Sequence, residues 1–481
     1  MSEPTILARL ARLAADTNFD TLPAEVVRSV TQRLLDTLGV AIAASAQGTA
    51  DGVGEIVHDF AGAPEATLIG RHTRGPAAMA ALYNGTLAHS LDFDDTHLPS
   101  VLHPSASIVP TTLAVAEAVS ASGPAALAAM ATGLEITVRT GMGGYLPREG
   151  NLFFERGWHA TSICGTLGAA ATAAKLYGLD VSGISDAIGI ATSLGSGVIE
   201  ANRVGGTVKR IHCGWAAHAG ILAAQLARSG FTAPATAFEG RFGFYRAFLD
   251  GRFDSGVVVD DLGVRWEFLA THFKPYPANH YTHAAIDAAL LIRARPGFDV
   301  ADITAIELGS AAPALRTIAE PRDAKIRPQS GYHAKFSGPF AVAAALLGGG
   351  GLGVHFADFT DERARDPRYL AVAAKVRTYV DEACDAAFPN AFAAVLRIHF
   401  ADGSVVEERV MENRGGPHRP LSDEELGTKF ELNTADLLTE RESVQLVDSV
   451  GALSRGGAIG DLAQVLGLQR DLRVPLGGTR S

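Results

Sequence analysis

Val395-Leu-Arg-Ile-His-Phe400 and Val405-Val-Glu-Glu-Arg-Val-Met411 stand on either side of Ala401-Asp402-Gly403. Asp-Gly between two apolar runs predicts a β-hairpin, because glycine supplies the positive φ that the tight turn needs. Upstream, 303–308 alternates, is rich in β-branched residues, and reads as a strand. Apolar residues at helical spacing flank it at 284–294 and 334–347. A mixed α+β domain therefore runs from about 267 to 412.

The rest of the chain reads differently. Thr21 is placed to cap a helix with Pro23 in its first turn, and Val27, Val30, Leu34 and Leu38 then recur at helical spacing. Gly39 is expected to loosen or end that helix. Further helices are predicted at 76–90, 107–121, 125–142, 160–177, 184–193 and 216–229. Gly178 and Gly230 follow two of them, where C-terminal glycines belong. Beyond 412, Ser422-Asp-Glu-Glu opens a segment, 444–452 is apolar, and the chain returns to helix. A looser end is expected from Gly457, frayed at 477–481. The fold class is thus mostly α: a large helical domain (1–266), interrupted by a smaller α+β domain (267–412) and completed by C-terminal helices (413–481). The cleft between domains is the expected ligand site.

Composition bounds the function. Of 481 residues, 47% are hydrophobic and 19% charged, a globular balance long enough for more than one core. Fifty-two glycines, with abundant alanine, predict helices that approach closely. A formal net charge of −11 argues against nucleic acid, so any positive potential must be gathered in a local cleft. No polybasic membrane patch is present, and 118–134, interrupted by Pro124, reads as buried helix, not a membrane span. Cys164, Cys213 and Cys384 lack metal-type spacing and cannot all pair, which fits a reducing cytoplasm. Residues 1–15 carry Arg9 and Arg12 and no apolar core of the signal-peptide kind, so no signal peptide is read there.

Five segments carry chemistry. In His89-Ser-Leu-Asp-Phe-Asp-Asp-Thr-His97, followed by His103-Pro-Ser, acids and histidines crowd together. Three readings stay open: metal ligands, although neither an i, i+4 histidine pair nor a calcium loop is present; carboxylates tuning a catalytic histidine; or a helix end with solvated acids. Gly157-Trp-His159-Ala-Thr-Ser162 opens an Ala-rich helix that Thr161 or Ser162 can cap, and whose first N–H groups suit a carboxylate; His159 adds a donor or is a core histidine. Arg203-Val-Gly-Gly-Thr-Val-Lys209-Arg210-Ile-His212 is a glycine-bearing basic loop, either an anion site or a solvated one, without P-loop spacing. Lys274-Pro-Tyr-Pro-Ala-Asn-His280-Tyr-Thr-His283 is a stiff connector whose two histidines can share a helical face. Arg327-Pro, then His333-Ala-Lys335-Phe-Ser337, is a further anion clamp or a helix cap. Neither a Gly-x-Ser-x-Gly elbow nor a dinucleotide fingerprint is present.

Taken in order, 89–96, 103–105, 157–162, 209–212, 274–277 and 334–337 resemble the MmgE/PrpD superfamily, which includes 2-methylcitrate dehydratases, cis-aconitate decarboxylases and iminodisuccinate epimerases. The resemblance implies a helical domain with an α+β lid-like domain, a homodimer, and chemistry without metal or organic cofactor. It places Asp92, Thr96, His103, His159 and Lys209 at functional positions. Two positions depart from the decarboxylase pattern: Asn279 stands where a histidine is expected, with His280 next, and the expected tyrosine near Ala324 is missing.

These reactions break a C–H or C–C bond beside a carboxylate, so developing negative charge needs cations or donors nearby. His103 is assigned proton transfer, Asp92 its orientation, Thr96 a hydrogen bond, and Lys209 charge stabilisation. His159, Arg210, Lys274, His280, His283 and Arg327 are assigned to a small anionic polycarboxylate substrate. The expected activity is a cofactor-independent lyase, a dehydratase or decarboxylase. The alternatives are an epimerase of a dicarboxylate and, more remotely, a non-catalytic carboxylate-binding helical protein.

Overall fold

The computed structural model describes residues 3–147, 149–201 and 206–467. Arg203, with its neighbours to Gly205, and the tail at 477–481 lie outside the described residues.

Helices Ala77–Ser90, Ser105–Ala118, Gly123–Gly143, Ala160–Leu176 and His212–Arg228 form the centre of the first domain. Ser105–Ala118 and Ala160–Leu176 are buried on nearly every face, which is why their sequences show no polar stripe. Small residues permit the contacts. A Cβ on Gly214 would lie 2.1 Å from the Leu82 carbonyl oxygen, and one on Gly168 would meet the Gly133 carbonyl oxygen at 2.4 Å. The helices therefore touch backbone to backbone at these points.

Gly39 does not end its helix. Ala24–Ala46 runs through it; a Cβ there would stand 3.0 Å from the Phe430 ring, so the glycine makes room for the C-terminal helix Asp423–Thr434. Thr21 does not cap: Pro23 holds the N-cap position, and Thr21 donates to the Asn18 carbonyl. Nor does the end loosen at Gly457. The carbonyl of Gly457 accepts from Gly123 N–H at 3.0 Å, and helix Ile459–Leu466 follows, burying Ile459, Leu462, Val465 and Leu466.

In the second domain a four-stranded sheet runs in the order Val405–Val410, Ala394–Phe400, Ile303–Ser310, Val376–Val380. The hairpin is present, with Val405 opposite His399, Val410 opposite Ala394, and Gly403 at φ +83°. Strand Val376–Val380 pairs parallel to Ile303–Ser310. Sequence pattern missed it because its outward positions are Arg377, Thr378 and an exposed Val380. The helix expected at 334–347 is divided. A turn at Gly331–Ala334 ends, and Gly338–Leu347 starts anew, capped by the Ser337 hydroxyl. Lys335 falls in the break.

One apolar core joins residues between Ile6 and Phe268 with others between Phe430 and Leu466; a second lies between Tyr276 and Val410. We propose the division at 1–266, 267–412 and 413–481 on this distribution. Among the described residues no helix is long and apolar enough to cross a membrane.

Candidate active site

Helix Ala77–Ser90 ends at Leu91, and Asp92 takes a left-handed conformation with φ +55°. An aspartate tolerates that region better than most side chains. The turn exposes three successive carbonyls, and a buried lysine from a different segment serves each: Lys335 Nζ donates to Leu91 O at 2.8 Å, Lys274 Nζ to Asp92 O at 3.0 Å, and Lys429 Nζ to Phe93 O at 3.2 Å. Lys429 also pairs with Asp36 at 2.6 Å. Both domains and the C-terminal helices therefore converge on one turn.

The acids of this segment are buried, not solvated; Asp92, Asp94 and Asp95 are each 1% exposed. Asp92 Oδ1 accepts from Lys209 at 2.9 Å and lies 3.5 Å from Lys274. Burial alone would raise its carboxyl, but Lys209 and then Lys274 hold it well below the usual range. Reciprocally, Lys209 is desolvated, yet Asp92 keeps it firmly protonated. Asp95 is taken up by Arg33 at 2.9 Å and by the Ser105 hydroxyl. Asp94 Oδ2 accepts from His89 Nδ1 at 2.6 Å and lies 4.0 Å from His103 Nδ1.

His103 Nδ1 stands 2.6 Å from the Asp95 carbonyl oxygen. A carbonyl only accepts, so Nδ1 carries the proton and Nε2 keeps its lone pair. Thr96 Oγ1 lies 3.2 Å from the same nitrogen, and the Thr161 hydroxyl accepts from His103 N–H at 3.2 Å. The side chain is 14% exposed. Burial, with Lys274 and Lys209 nearby, pushes the imidazole down to about 3, only partly offset by Asp94. His103 is therefore held as a neutral base.

His159 is the N-cap of helix Ala160–Leu176 without a side-chain cap bond. Thr161 and Ser162 do not cap it either, since Thr161 is turned to His103 and Ser162 donates to His212 O. His159 Nδ1 faces His212 Nδ1 at 2.9 Å, so one ring donates and the other accepts. The His89 ring lies between, 5.4 Å from His103 and 5.6 Å from His159. His97 is structural: its two nitrogens are occupied by Ser100 Oγ at 2.7 Å and Glu267 O at 3.1 Å.

Asp92, Thr96, His103, His159, Lys209 and Lys274 are thus gathered in one cluster. Arg210 flanks it, its guanidinium 4.8 Å over the Tyr332 ring. His280 and His283 form a neighbouring group, rings 4.6 Å apart, with His272 beside His280. Arg327 is exposed at the end of the short helix Arg322–Ile326, and among the described residues no side-chain contact joins it to the cluster. His89, His212, Tyr332, Lys335 and Lys429 were not singled out by sequence reasoning as site residues. The signal was partial, since His89, His212 and Lys335 lie within motifs quoted above, the last in a segment read as an anion clamp or cap, while Tyr332 and Lys429 lie in none.

His89, Asp94 and Cys213 have the donor types for a metal ion, with one atom of each within 4.8 Å of the others. To bind one, His89 and Asp94 would give up their 2.6 Å hydrogen bond, and the Cys213 thiol a proton that burial holds firmly.

Residues 8–255 match the MmgE/PrpD N-terminal domain and 276–451 the MmgE/PrpD C-terminal domain; the chain belongs to the MmgE/PrpD family. It is similar over almost its whole length to cis-aconitate decarboxylase of Aspergillus terreus, 25% identical over 476 residues that cover 96% of each chain. The mouse cis-aconitate decarboxylase is 28% identical, covering 88% of this chain and 86% of that protein. The human one is also 28% identical, covering 86% and 84%.

Proposed function

We propose that the chain is a lyase that removes CO2 or water from a small di- or tricarboxylate by acid/base chemistry, with decarboxylation the preferred reading. The observation that carries the proposal is the pairing of a tautomer-fixed neutral imidazole, His103, with the buried Lys209–Asp92–Lys274 cluster. The names of the similar proteins support the decarboxylating variant. An anionic substrate raises the basicity of a desolvated imidazole beside it, so His103 gains proton affinity as the polycarboxylate enters. On loss of CO2 the C–C electron pair stays on the substrate, and His103, having taken a proton from solvent as the substrate bound, gives it to that carbon. On loss of water His103 takes a proton beside the carboxylate and the hydroxyl departs. Lys209, Lys274, Arg210 and His159 hold carboxylates and offset the charge that develops.

The second reading is an epimerase, in which a proton leaves one face of a carbon and returns to the other. It is supported by His280, whose ring nitrogens are both buried without a hydrogen-bond partner among the described residues, as a second proton-transfer group. The homodimer belongs to this proposal, and light scattering on the purified protein tests it.

Proton NMR in D2O with cis-aconitate, 2-methylcitrate and iminodisuccinate decides between the readings. New vinyl signals are expected from a lyase. Deuterium entering an unchanged skeleton would replace that reading with epimerisation, and inertness towards all three would exclude these substrates.

A further inference from the structure

Four lysines are buried around the turn at 91–93, and three of them face a carboxylate. Lys209 and Lys274 share Asp92, and Lys429 has Asp36. Lys335 is 5% exposed, donates to the Leu91 carbonyl, and lies 5.3 Å from the centre of the Phe356 ring. Among the described residues it has no ion pair. A buried ammonium without a counter-ion is costly, so it either sheds its proton or is matched by an anion that arrives with a ligand. The charged or titratable groups around it are Asp92, Arg210, Lys274 and His355. Asp92 is already committed to two ammonium groups. Arg210 stacks on Tyr332, three residues before Lys335, and its Nε is buried without a hydrogen-bond partner among the described residues. Among the described residues neither Arg210 nor Lys335 has an ion pair with a carboxylate of its own.

We propose that Lys335 is the counter-ion of one substrate carboxylate, which it shares with Arg210. This rests on the polycarboxylate reading above and assigns it a specific subsite. A consequence is proton-linked binding. Burial pushes Lys335 down to about 7, with Arg210 and Lys274 adding to the effect and Asp92 opposing it. Above that pH the free protein holds a neutral amine there. An adjacent carboxylate favours the ammonium, so the anion enters together with a proton.

Calorimetric titration with tricarballylate at pH 8, in two buffers of different ionisation enthalpy, tests this. Wild type is expected to take up about one proton per anion bound. Lys335→Arg, permanently charged, is expected to bind without that uptake, and Lys335→Met to bind roughly 10-fold or more weakly. Tricarballylate binding by wild type without proton uptake would overturn the subsite alone, as would undiminished uptake in Lys335→Arg. Should Lys335→Met not fold, the comparison of wild type with Lys335→Arg still decides. Wild type binding neither tricarballylate nor succinate would overturn the polycarboxylate reading and the subsite with it.

Discussion

Lys209 and Asp92 lie 117 positions apart in sequence and meet at 2.9 Å with both side chains almost wholly out of solvent. Lys274, from the segment that enters the second domain, stands 3.5 Å from the same oxygen. One carboxylate thus carries two buried ammonium groups from two domains. Asp92→Asn keeps the shape but leaves both uncompensated, and breaking a buried pair costs about 3–5 kcal/mol. A lower melting temperature and loss of most turnover are expected. Adding Lys209→Met should recover stability without recovering activity. An Asp92→Asn protein that melts like wild type would refute the coupling.

Replacing His103 separates chemistry from folding. Its side chain is partly exposed and its Nδ1 reaches only the Asp95 carbonyl and the Thr96 hydroxyl, so His103→Ala should keep a normal circular dichroism spectrum and melt. Loss of a general acid/base group lowers the rate ~10²–10⁴-fold. Turnover close to wild type would remove His103 from its assigned role.

Stability should fall on acidification before the carboxylates titrate. His97, His103 and His283 are each pushed down to about 3 by burial, from an ordinary value of 6.5. Between these values the unfolded chain binds protons that the folded protein refuses, so stability is fully present above 6.5 and drains away as pH falls. Asp92, held low by Lys209 and Lys274 against burial, and Asp94, held low chiefly by its partner His89, act in the same sense further down. Asp36 and Asp95, raised by burial, act in the opposite sense above their usual range, so the histidine contribution is read from a histidine variant against wild type. Urea midpoints should drop from pH 7 to pH 5, and His97→Gln, away from the substrate groups, should flatten that slope. An unchanged wild-type midpoint would contradict the prediction.

Helix contact at Gly214 can be tested by one methyl group. Its Cβ would stand 2.1 Å from Leu82 O and 2.5 Å from Thr86 Oγ1. The first is backbone and cannot swing away, so Gly214→Ala must push two central helices apart. Overpacking of this kind costs about 1–3 kcal/mol, read as a lower melting temperature. Gly427→Ala, which meets nothing within 4 Å, is the matched control and should melt no lower than wild type.

Much of the architecture was readable from local pattern. Helical spacing, the glycines at 178 and 230, the Asp-Gly turn at 402–403 and the Ser422 capping box are local devices, and each acts within a few residues. Sequence also grouped most of the site, because Asp92, Thr96, His103, His159, Lys209 and Lys274 lie in dense, ordered motifs. What depends on distant partners was not readable. Gly39 reads as a helix breaker until Phe430 is packed against it. His97 and His103 look alike in sequence, but Ser100 and Glu267 occupy both nitrogens of the first, while the second keeps Nε2 free of the bond that fixes its tautomer. Arg327 looks like a clamp and is exposed, whereas Lys335 and Lys429 reach the turn from 244 and 336 positions away. Charge and hydrogen-bonding capacity belong to the residue and can be read one letter at a time. Burial and pairing, which set protonation and decide which cations lack a counter-ion, belong to the folded chain.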